Sequence, residues 1–314
     1  ATALEVTAGL RSLRVVRSGG GFNRAEWKAA LGPVMDLWEK MGGRDVLPAL
    51  EGGERAATQG GADGKEVDPV GQFVFLEAAR GARIVRQVAG DLQALKEVLF
   101  GAGLLTRRVQ AVGDALLANA IPGAWIAHWK DGPEDPRAWM RGAVQRCHAL
   151  STKWLPALEA GGGSARLLGN PVNLGHLFRP GTFLEALRQV SARHAGSSME
   201  SLQLQSAVDA GALSAVGAKL PVALEGLILQ GAVWDGSRLA HADAGTPEAV
   251  PMRAVYVAWL PSDAPAAHSG GTTTAPVYTG ITRETYVTRL ALPIPADSAM
   301  AWIQAGVALL LGSE

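Results

Sequence analysis

Three glycine-rich stretches hold the residues that could bind a phosphate: "SGGGFNR" at 18–24, "DGKEVD" at 63–68 and "FGAGLLTRR" at 100–108. A phosphate-binding loop ends in Gly-Lys-Ser/Thr, because backbone N–H groups, the lysine and a hydroxyl on magnesium act together. Two of the stretches lack the Lys-Ser/Thr pair, and the other places a glutamate after its Gly-Lys pair. The pattern therefore argues against nucleotide hydrolysis by these residues and favours turns.

The side chains that could bind zinc are a single cysteine and six histidines. A zinc site needs such residues clustered at ligand spacing, and these histidines are far apart in the sequence. Cys147 and His148 are adjacent, so on a helix they point to different faces. We therefore expect a packed thiol beside a surface imidazole and no metal site. The histidines are His128, His148, His176, His194, His241 and His268.

Glu134 and Asp135, in "PEDP", are paired carboxylates that could serve as a general acid and base. They are flanked by prolines at a predicted helix start, so interaction with the helix dipole explains them better. The sequence has no Gly-x-Ser-x-Gly elbow and no cysteine-protease signature around Cys147. A catalytic triad stays open at this point, since its members meet only in space.

The composition excludes several classes of partner. The formal net charge is +0 and the lysines and arginines are scattered, which argues against nucleic acid and anionic lipid. The single cysteine leads us to expect a reducing compartment, and we expect no secretory signal in the first residues of the sequence. The apolar stretch 213–234 is interrupted by Lys219, Pro221 and Glu225, so we expect strands there and no membrane helix.

The first fifty residues predict a helix followed by a break. Asn23 caps a helix that carries Trp27 and Leu31 and stops at 41–43. The next stretch, "EGGERAATQGGADGKE" at 51–66, cannot bury enough apolar surface to order itself. We therefore expect a domain boundary or a surface loop there.

Four further helices are predicted up to residue 206. From Asp68, apolar residues recur at steps of three and four, which indicates a long amphipathic helix ending near "FGAG". Thr106 caps the next helix, and another begins after Pro136. Thr182 and Glu185 form a capping box at the start of the last one.

After Ser206 the apolar period changes to that of strands. Asp-Gly in "WDGS" predicts a hairpin, and "VPMRAVYVAWLP", "TAPVYTG" and "RETYVTRLALPI" predict three more strands. Asp297 and Ser298 are expected to cap a short helix that carries Trp302. The apolar run 306–311 is expected to close a small sandwich or incomplete antiparallel β-barrel, which gives an α+β fold. The nine tryptophans are expected mainly in the core.

The strand-rich part resembles the carboxyl end of dynein heavy chains. The segments that carry this resemblance are "GLILQGAVWDGSRL", "WLPSDAP", "APVYTGITRETYVTRLALP" and "AWIQAGVALLLGSE". Among dyneins, "WKDGPEDPRAWMRGAVQR", "LFRPGTFLEALRQVSAR" and the ending "WIQAGVAL" are most similar to the cytoplasmic dynein 2 type, the retrograde motor of intraflagellar transport. The resemblance covers 68–314 well and the first fifty residues loosely. Ala275 departs from it, since many dyneins have cysteine there.

The resemblance implies a fragment of an ATP-driven, minus-end-directed microtubule motor. Residues 1–67 would end the sixth AAA+ module, 68–206 would form the helical part of the C-terminal domain, and 207–314 would form its barrel part. This domain would pack across the AAA+ ring and tune force without catalysis. No cofactor is expected in it, and ATP and magnesium would bind upstream.

The resemblance also implies partners and a location. The partners would be the ring, a second heavy chain, the light intermediate and other accessory chains, intraflagellar transport trains, and the microtubule through a stalk outside this sequence. Nucleic acid and membrane are not expected as partners. The motor would work in the cilium or flagellum and the cytoplasm.

The residues expected to matter are architectural, with no catalytic, cofactor or metal residue among them. Two alternatives remain open: a free-standing adaptor with one ligand pocket, and a hydrolase with a spatially assembled triad. A domain that packs on a ring should expose an apolar patch when it is isolated. The architectural residues are Gly226, Gly231, Trp234, Asp235, Gly236, Pro276, Val277, Tyr278, Trp302 and Gly306.

Overall fold

Helices make up most of the chain before residue 200, and strands dominate after it, so the α+β expectation is confirmed. The computed structural model describes residues 22–59, 68–159, 163–242, 248–268, 270–295 and 299–312. The chain divides into two compact units. The first unit is Ala1–Pro48 with Arg80–Val144, and the second is Ala49–Ala79 with Gln145–Glu314.

The first unit is helical. Asn23 caps α1 as predicted, because its Oδ1 accepts hydrogen bonds from the backbone N–H groups of Ala25 and Glu26. Trp27 of α1 packs on α4 at Gly113, where an added Cβ would overlap the indole ring. Thr106 caps α4 as predicted. The helices that lie wholly or mainly in this unit are α1 (Arg24–Lys40), α3 (Pro69–Phe100), α4 (Arg107–Leu117), α5 (Gly123–Ile126) and α6 (Pro136–Ala149).

The glycine-rich stretch contains a helix that the sequence did not predict. α2 (Leu47–Gln59) includes the first nine residues of 51–66, and the others lie outside the described residues. A Cβ on Gly53 would lie 2.7 Å from the Cβ of Ala78 and 3.0 Å from Leu155 Cδ2. This close packing explains the helix, because tertiary burial offsets the poor helix propensity of glycine.

The second unit contains the remaining helices, and two of them differ from expectation. α9 (Pro180–Ala195) begins at Pro180 with Arg179 as its cap, so Thr182 lies inside the helix and is not the cap. Proline is favoured in this first position because its fixed φ suits the helix start. α10 (Ala210–Ala215) lies partly within the stretch predicted as strands. The others are α7 (Leu155–Glu159), α8 (Gly163–Leu168) and α11 (Ala299–Gln304), together with a π-helical turn at Leu150–Trp154.

The strands form two sheets and a separate hairpin. The four-stranded sheet has the order β1-β3-β8-β2, and the five-stranded sheet has the order β10-β9-β11-β4-β7. β5 (Val233–Trp234) and β6 (Leu239–Ala240) pair through "WDGS", as predicted. The first sheet consists of β1 (Val172–Asn173), β3 (Val222–Glu225), β8 (Val255–Pro261) and β2 (Leu202–Ala207). The second consists of β10 (Tyr286–Pro293), β9 (Thr272–Tyr278), β11 (Ala308–Leu311), β4 (Leu227–Gln230) and β7 (Ala249–Pro251), and the hairpin strands are Val233–Trp234 and Leu239–Ala240.

The expected closing strand is in fact the centre of a mixed sheet. β11 pairs antiparallel with β4 and parallel with β9, and the described residues show no closed barrel. A parallel pair needs a crossover between its strands, and α11 lies in the connection that enters β11. The two sheets meet where Ser206 Oγ on β2 accepts from Ala291 N of β10 at 2.7 Å and donates to Ala291 O at 2.8 Å.

Seven tryptophans are buried, while Trp234 and Trp259 keep part of their surface exposed. The expectation that tryptophans mainly build the core is therefore confirmed. In the first unit the rings of Trp125 and Trp129 pack against Trp139 at centroid distances of 5.9 Å and 5.4 Å. Within the described ranges, no helix is both long enough and apolar enough to cross a membrane.

Candidate functional site

The terminal strand β11 is the element around which most of the predicted architectural residues gather. All four of its residues are buried. On one side Val277 and Tyr278 of β9 lie opposite Leu309 and Leu310. On the other side, β11 runs antiparallel to the whole of β4. Because β11 is hydrogen-bonded on both edges, it contributes no free edge to the sheet.

The polypeptide enters β11 through a tight junction with β4. Trp302 is fully buried in α11, and its O accepts a hydrogen bond from Val307 N at 3.2 Å. A Cβ on Gly231 would lie 2.7 Å from the carbonyl oxygen of Ala305, and the φ of Gly231 is +76°. Both facts favour glycine, because a side chain would collide there and the left-handed backbone would be strained. Gly231 therefore lets β4 approach the end of α11 closely.

A side chain that the sequence did not single out clamps this junction. Arg283 Nε and Nη2 donate to Gln230 Oε1 at 3.2 Å and 3.0 Å, and Nη2 also donates to Gly306 O at 2.9 Å. We call Arg283, Gln230 and Gly306 the terminal-strand clamp. The backbone of Arg283 has φ +55°, a strained value for a residue with a side chain.

The far end of β11 is held by backbone contacts. Gly312 N donates to Gly226 O at 2.7 Å, and a Cβ on Gly175 would overlap the oxygen of Gly312. Asn173 is 4% exposed, and its Oδ1 accepts from Gly175 N at 2.7 Å. A Cβ on Gly226 would overlap the Asn173 amide. Asn173 and Gly175 were missed because they lie more than fifty residues before β4 in the sequence.

The hairpin carries the remaining predicted turn residues. Asp235 Oδ1 accepts from Ser237 N and Arg238 N, each at 2.9 Å, and these bonds lower the pKa of Asp235 to about 2. Gly236 follows with φ +105°, a backbone conformation that glycine adopts without strain. Trp234 beside it is half-buried. Asp235 and Gly236 therefore stabilise the hairpin turn itself.

Pro276 and Trp302 differ in their surroundings. Pro276 lies in β9 opposite Arg289 of β10. The ring of Trp302 stacks on His241 with centroids 4.3 Å apart and planes 10° apart. Among the described residues, Trp302 Nε1 finds no hydrogen-bond acceptor. The buried indole is thus held by packing and stacking.

The residues considered for catalysis belong to other elements of the fold. Asp135 Oδ1 accepts from Ala138 N at 2.8 Å at the start of α6, which supports the helix-terminus interpretation. Burial raises the pKa of the Cys147 thiol to about 12, so the thiol stays protonated at neutral pH. His148 is exposed beside it, as expected. The described ranges contain no group of three or more His, Cys, Asp or Glu placed to hold a metal ion.

Two buried charged clusters also escaped the sequence analysis. In the first unit, Asp91 is 3% exposed and accepts from Arg108, from Trp125 Nε1 at 2.9 Å and from Gln87 at 2.6 Å. In the second unit, Glu77 is 2% exposed and accepts from Phe178 N and Arg179 N. Both carboxylates join distant segments, so no local spacing could have identified them.

The second cluster extends to the carbonyl before Phe178. Arg146 Nε donates to Leu177 O at 3.0 Å. Burial lowers the pKa of Arg146 to about 10, opposed by attraction to the carboxylate of Glu77. The guanidinium is therefore still charged at neutral pH and ties α6 to the segment before α9.

Comparison with known proteins identifies relatives over nearly the whole chain. Residues 12–311 match the family model for the C-terminal domain of dynein heavy chains. The sequence is 40% identical over 301 residues to cytoplasmic dynein 2 heavy chain 1 of Chlamydomonas reinhardtii, which covers 94% of this chain and 7% of that protein. It is 34% identical over 312 residues to the human protein of that name, covering 99% of this chain and 7% of that protein.

A cytoplasmic dynein heavy chain outside the dynein-2 relatives is less similar to this chain. The cytoplasmic dynein heavy chain of Dictyostelium discoideum is 25% identical over 246 residues, which covers 77% of this chain and 5% of that protein. The chain thus spans only a small fraction of the length of the relatives that it matches.

Proposed function

The protein belongs to the family formed by the C-terminal domains of dynein heavy chains, and on this basis we propose that it is the regulatory C-terminal domain of a dynein-2-type heavy chain. The observation that carries the proposal is the identity of 34% to 40% with cytoplasmic dynein 2 heavy chains over nearly the whole chain. The identity with the Dictyostelium cytoplasmic heavy chain is lower, at 25%.

In this proposal the domain packs on the AAA+ ring of its own heavy chain and has no catalytic part. Residues 1–67 belong to the helical lid of the sixth AAA+ module, 68–206 to the helical part of the C-terminal domain, and 207–314 to its sheet part. ATP and magnesium bind elsewhere in the heavy chain. The protonated, buried thiol of Cys147 agrees with a domain that does not use it for chemistry.

The proposed mechanism is mechanical. A domain that transmits force needs elements that do not slip, and β11 is hydrogen-bonded on both edges and clamped at its start by Arg283. Exposed apolar side chains on the second unit offer a surface for the ring: Ile281 is 67% exposed, Ile303 is 59% exposed and Tyr286 is 51% exposed. Such side chains are typical of an interaction surface when they are grouped.

We propose partners for the whole motor on the premise that it is a dynein-2-type motor. They are a second heavy chain, the light intermediate and other accessory chains, intraflagellar transport trains, and the microtubule through the stalk. The proposed activity is minus-end-directed retrograde transport in the cilium or flagellum.

A truncation experiment tests the proposal. The full motor domain is compared with one that ends before Asp68, and the ATPase rate, microtubule gliding velocity and stall force are measured. Changed motility with retained ATP hydrolysis would support a mechanical regulator. Unchanged motility would contradict it and would favour a separate adaptor module.

A point variant tests the proposed surface in the intact motor. Ile303→Ser removes an exposed apolar side chain from α11, and Gln304→Ser, at an exposed polar position on the same helix, is the matched control. We expect Ile303→Ser alone to change the stall force. Equal effects of both variants would exclude this face of α11 from the ring contact.

A further inference from the structure

An apolar patch lies on the first unit, where α3 ends. Leu104 is 87% exposed, more than any other large apolar side chain among the described residues. Phe100 at the end of α3 is 60% exposed, and Phe22 before α1 is 36% exposed. We call Phe22, Phe100 and Leu104 the Phe100–Leu104 patch. Aliphatic and aromatic side chains this exposed on a folded unit favour a partner that covers them.

Backbone hydrogen bonds fix the loop that follows Phe100. The N–H groups of Ala102 and Gly103 both donate to Glu97 O, at 2.8 Å and 3.0 Å. Gly101 has φ +82°, which is typical of a glycine that ends a helix. The loop is therefore held in one arrangement before any partner binds, and this lowers the entropy lost on binding.

Three cationic side chains border the patch. Lys28 Nζ is 4.2 Å from the centre of the Phe100 ring. The Arg24 guanidinium lies 3.1 Å from the position of a Cβ on Gly101. Arg107 follows the loop as the first residue of α4, and its side chain is exposed. Within the described part of the chain, none of these three cations is paired with a carboxylate.

The acidic residues near these cations are fewer. Arg24 and Lys28 are four residues apart and share a face of α1, whereas Glu26 lies on another face. Glu97 is in the last turn of α3, and its Oε1 accepts a hydrogen bond from Gln93 Nε2 at 3.0 Å. The patch is therefore bordered by more positive than negative charge, and its complement is an apolar surface bordered by carboxylates.

The helical architecture of the first unit indicates the form of this partner. The described residues of the unit contain no strand, so they offer no sheet edge to which a partner could add one. An amphipathic helix, in contrast, places apolar side chains on one face with charged side chains beside them.

We propose that the Phe100–Leu104 patch binds an acidic amphipathic helix of another protein. Phe100 and Leu104 contact the apolar side chains of that helix. Its carboxylates pair with Arg24, Lys28 and Arg107. This contact is independent of the ring contact proposed for the second unit, because all of these residues belong to the first unit.

An anionic membrane is the alternative that this chemistry brings to mind. Segments that recognise anionic lipid carry clusters of about 4–8 lysines and arginines. Three cations border this patch, and the formal net charge of the chain is +0. The charge therefore favours a protein partner, and binding to vesicles is one outcome of the test.

A synthetic peptide tests the proposal on the 314-residue protein. The probe is a fluorescein-labelled amphipathic helix of about 18 residues, or five turns, with leucines on one face and glutamates beside them. Fluorescence anisotropy measures its binding, and we expect a Kd of about 10–100 μM, as for a small transient contact. The same peptide with every glutamate replaced by lysine should bind about tenfold more weakly or less.

Two pairs of variants locate the binding. Leu104→Ser should raise the Kd about tenfold, whereas Leu117→Ser, at a position 39% exposed at the other end of α4, should not change it. Lys28→Glu should weaken binding of the acidic peptide and strengthen binding of the basic one. Lys130→Glu is its control, because Lys130 lies beside Ala118 at the far end of α4, and it should change neither. All four positions are exposed, and circular dichroism verifies that each variant is folded.

Three outcomes overturn the proposal. Equal binding of the acidic and basic peptides, or equal binding to the unsubstituted protein and Leu104→Ser, would exclude the charged apolar contact. Self-association in analytical ultracentrifugation that Leu104→Ser abolishes would assign the patch to a second copy of the protein. Sedimentation with phosphatidylcholine vesicles containing about 30% phosphatidylserine, lost in Leu104→Ser, would assign it to a membrane surface.

Discussion

Replacing Arg283 should loosen the terminal strand by an amount that follows from its contacts. Arg283 donates twice to Gln230 Oε1 and once to Gly306 O. Gln230 is 8% exposed, so Arg283→Ala leaves a buried acceptor without its donors. Such an acceptor costs about 1–3 kcal/mol, whereas water can replace the donor at the exposed oxygen of Gly306. We expect a loss of about 2 kcal/mol in the free energy of unfolding.

The strained backbone of Arg283 supplies an internal comparison. Its φ of +55° is easy for glycine and costly for any residue with a Cβ. Arg283→Gly removes the same side-chain bonds and relieves this strain. We therefore expect Arg283→Gly to be about 1 kcal/mol more stable than Arg283→Ala.

Amide hydrogen exchange is the suitable assay, because the protein has two units that need not unfold together. Exchange at 308–311 reports on β11 directly, and the loss of about 2 kcal/mol corresponds to about 30-fold faster exchange there. Amides of α4 in the other unit serve as the control and should keep their rates.

A double variant tests the cause. Gln230→Leu removes the buried acceptor, so Arg283→Ala should cost less in that background, with a coupling of about 1 kcal/mol. Unchanged exchange at 308–311 in Arg283→Ala would refute the clamp. Strictly additive effects of the two substitutions would refute the hydrogen bond as its cause.

Three further predictions concern other parts of the fold. Ser206→Ala removes both hydrogen bonds to Ala291 and should lower the free energy of unfolding by about 1–3 kcal/mol. Amide exchange should become faster at Ala291 than in β11, and equal changes in both strands would contradict a local contact between β2 and β10. Asp91→Ala leaves its buried partner Trp125 Nε1 without an acceptor and should destabilise the first unit by about 1–3 kcal/mol, while Asp91→Asn keeps an acceptor and should cost less; thermal unfolding checks the order of these two variants. Burial lowers the pKa of His176 from 6.5 to about 4, helped by the charges of nearby cations, so the unfolded chain binds more protons than the folded one in this range. The neutral imidazole of His176 therefore costs the folded protein nothing above pH 6.5, and the free energy of unfolding should decrease by about 2 kcal/mol as the pH falls towards 4. A His176→Gln variant with the same pH dependence in urea unfolding would contradict this.

Local patterns predicted the elements well where local chemistry decides them. Asn23 and Thr106 cap their helices as expected, and Asp-Gly at 235–236 turns the hairpin. In each case the hydrogen bonds join residues within three or four positions of one another, so the sequence alone contains both partners.

Errors arose where a distant contact overruled a local preference. The glycine-rich start of 51–66 is helical because Gly53 packs closely on Ala78 and Leu155. Thr182 is not a cap because the helix starts earlier, at Pro180. The predictions for Asp297 and Ser298 lie outside the described residues.

The amino-acid order was enough to predict that the run at 306–311 is covered, since it is so apolar, and residues 307–311 are buried in the structure. Its place in the sheet depends on the tertiary fold: α11 brings β11 in parallel to β9, between β9 and β4, and not to the edge of a barrel. The terminal-strand clamp could not be predicted from the sequence either, because Arg283 is 53 positions from Gln230 and 23 from Gly306. Strand order and buried polar partners depend on which distant segments meet, and no period or spacing along the chain encodes that meeting.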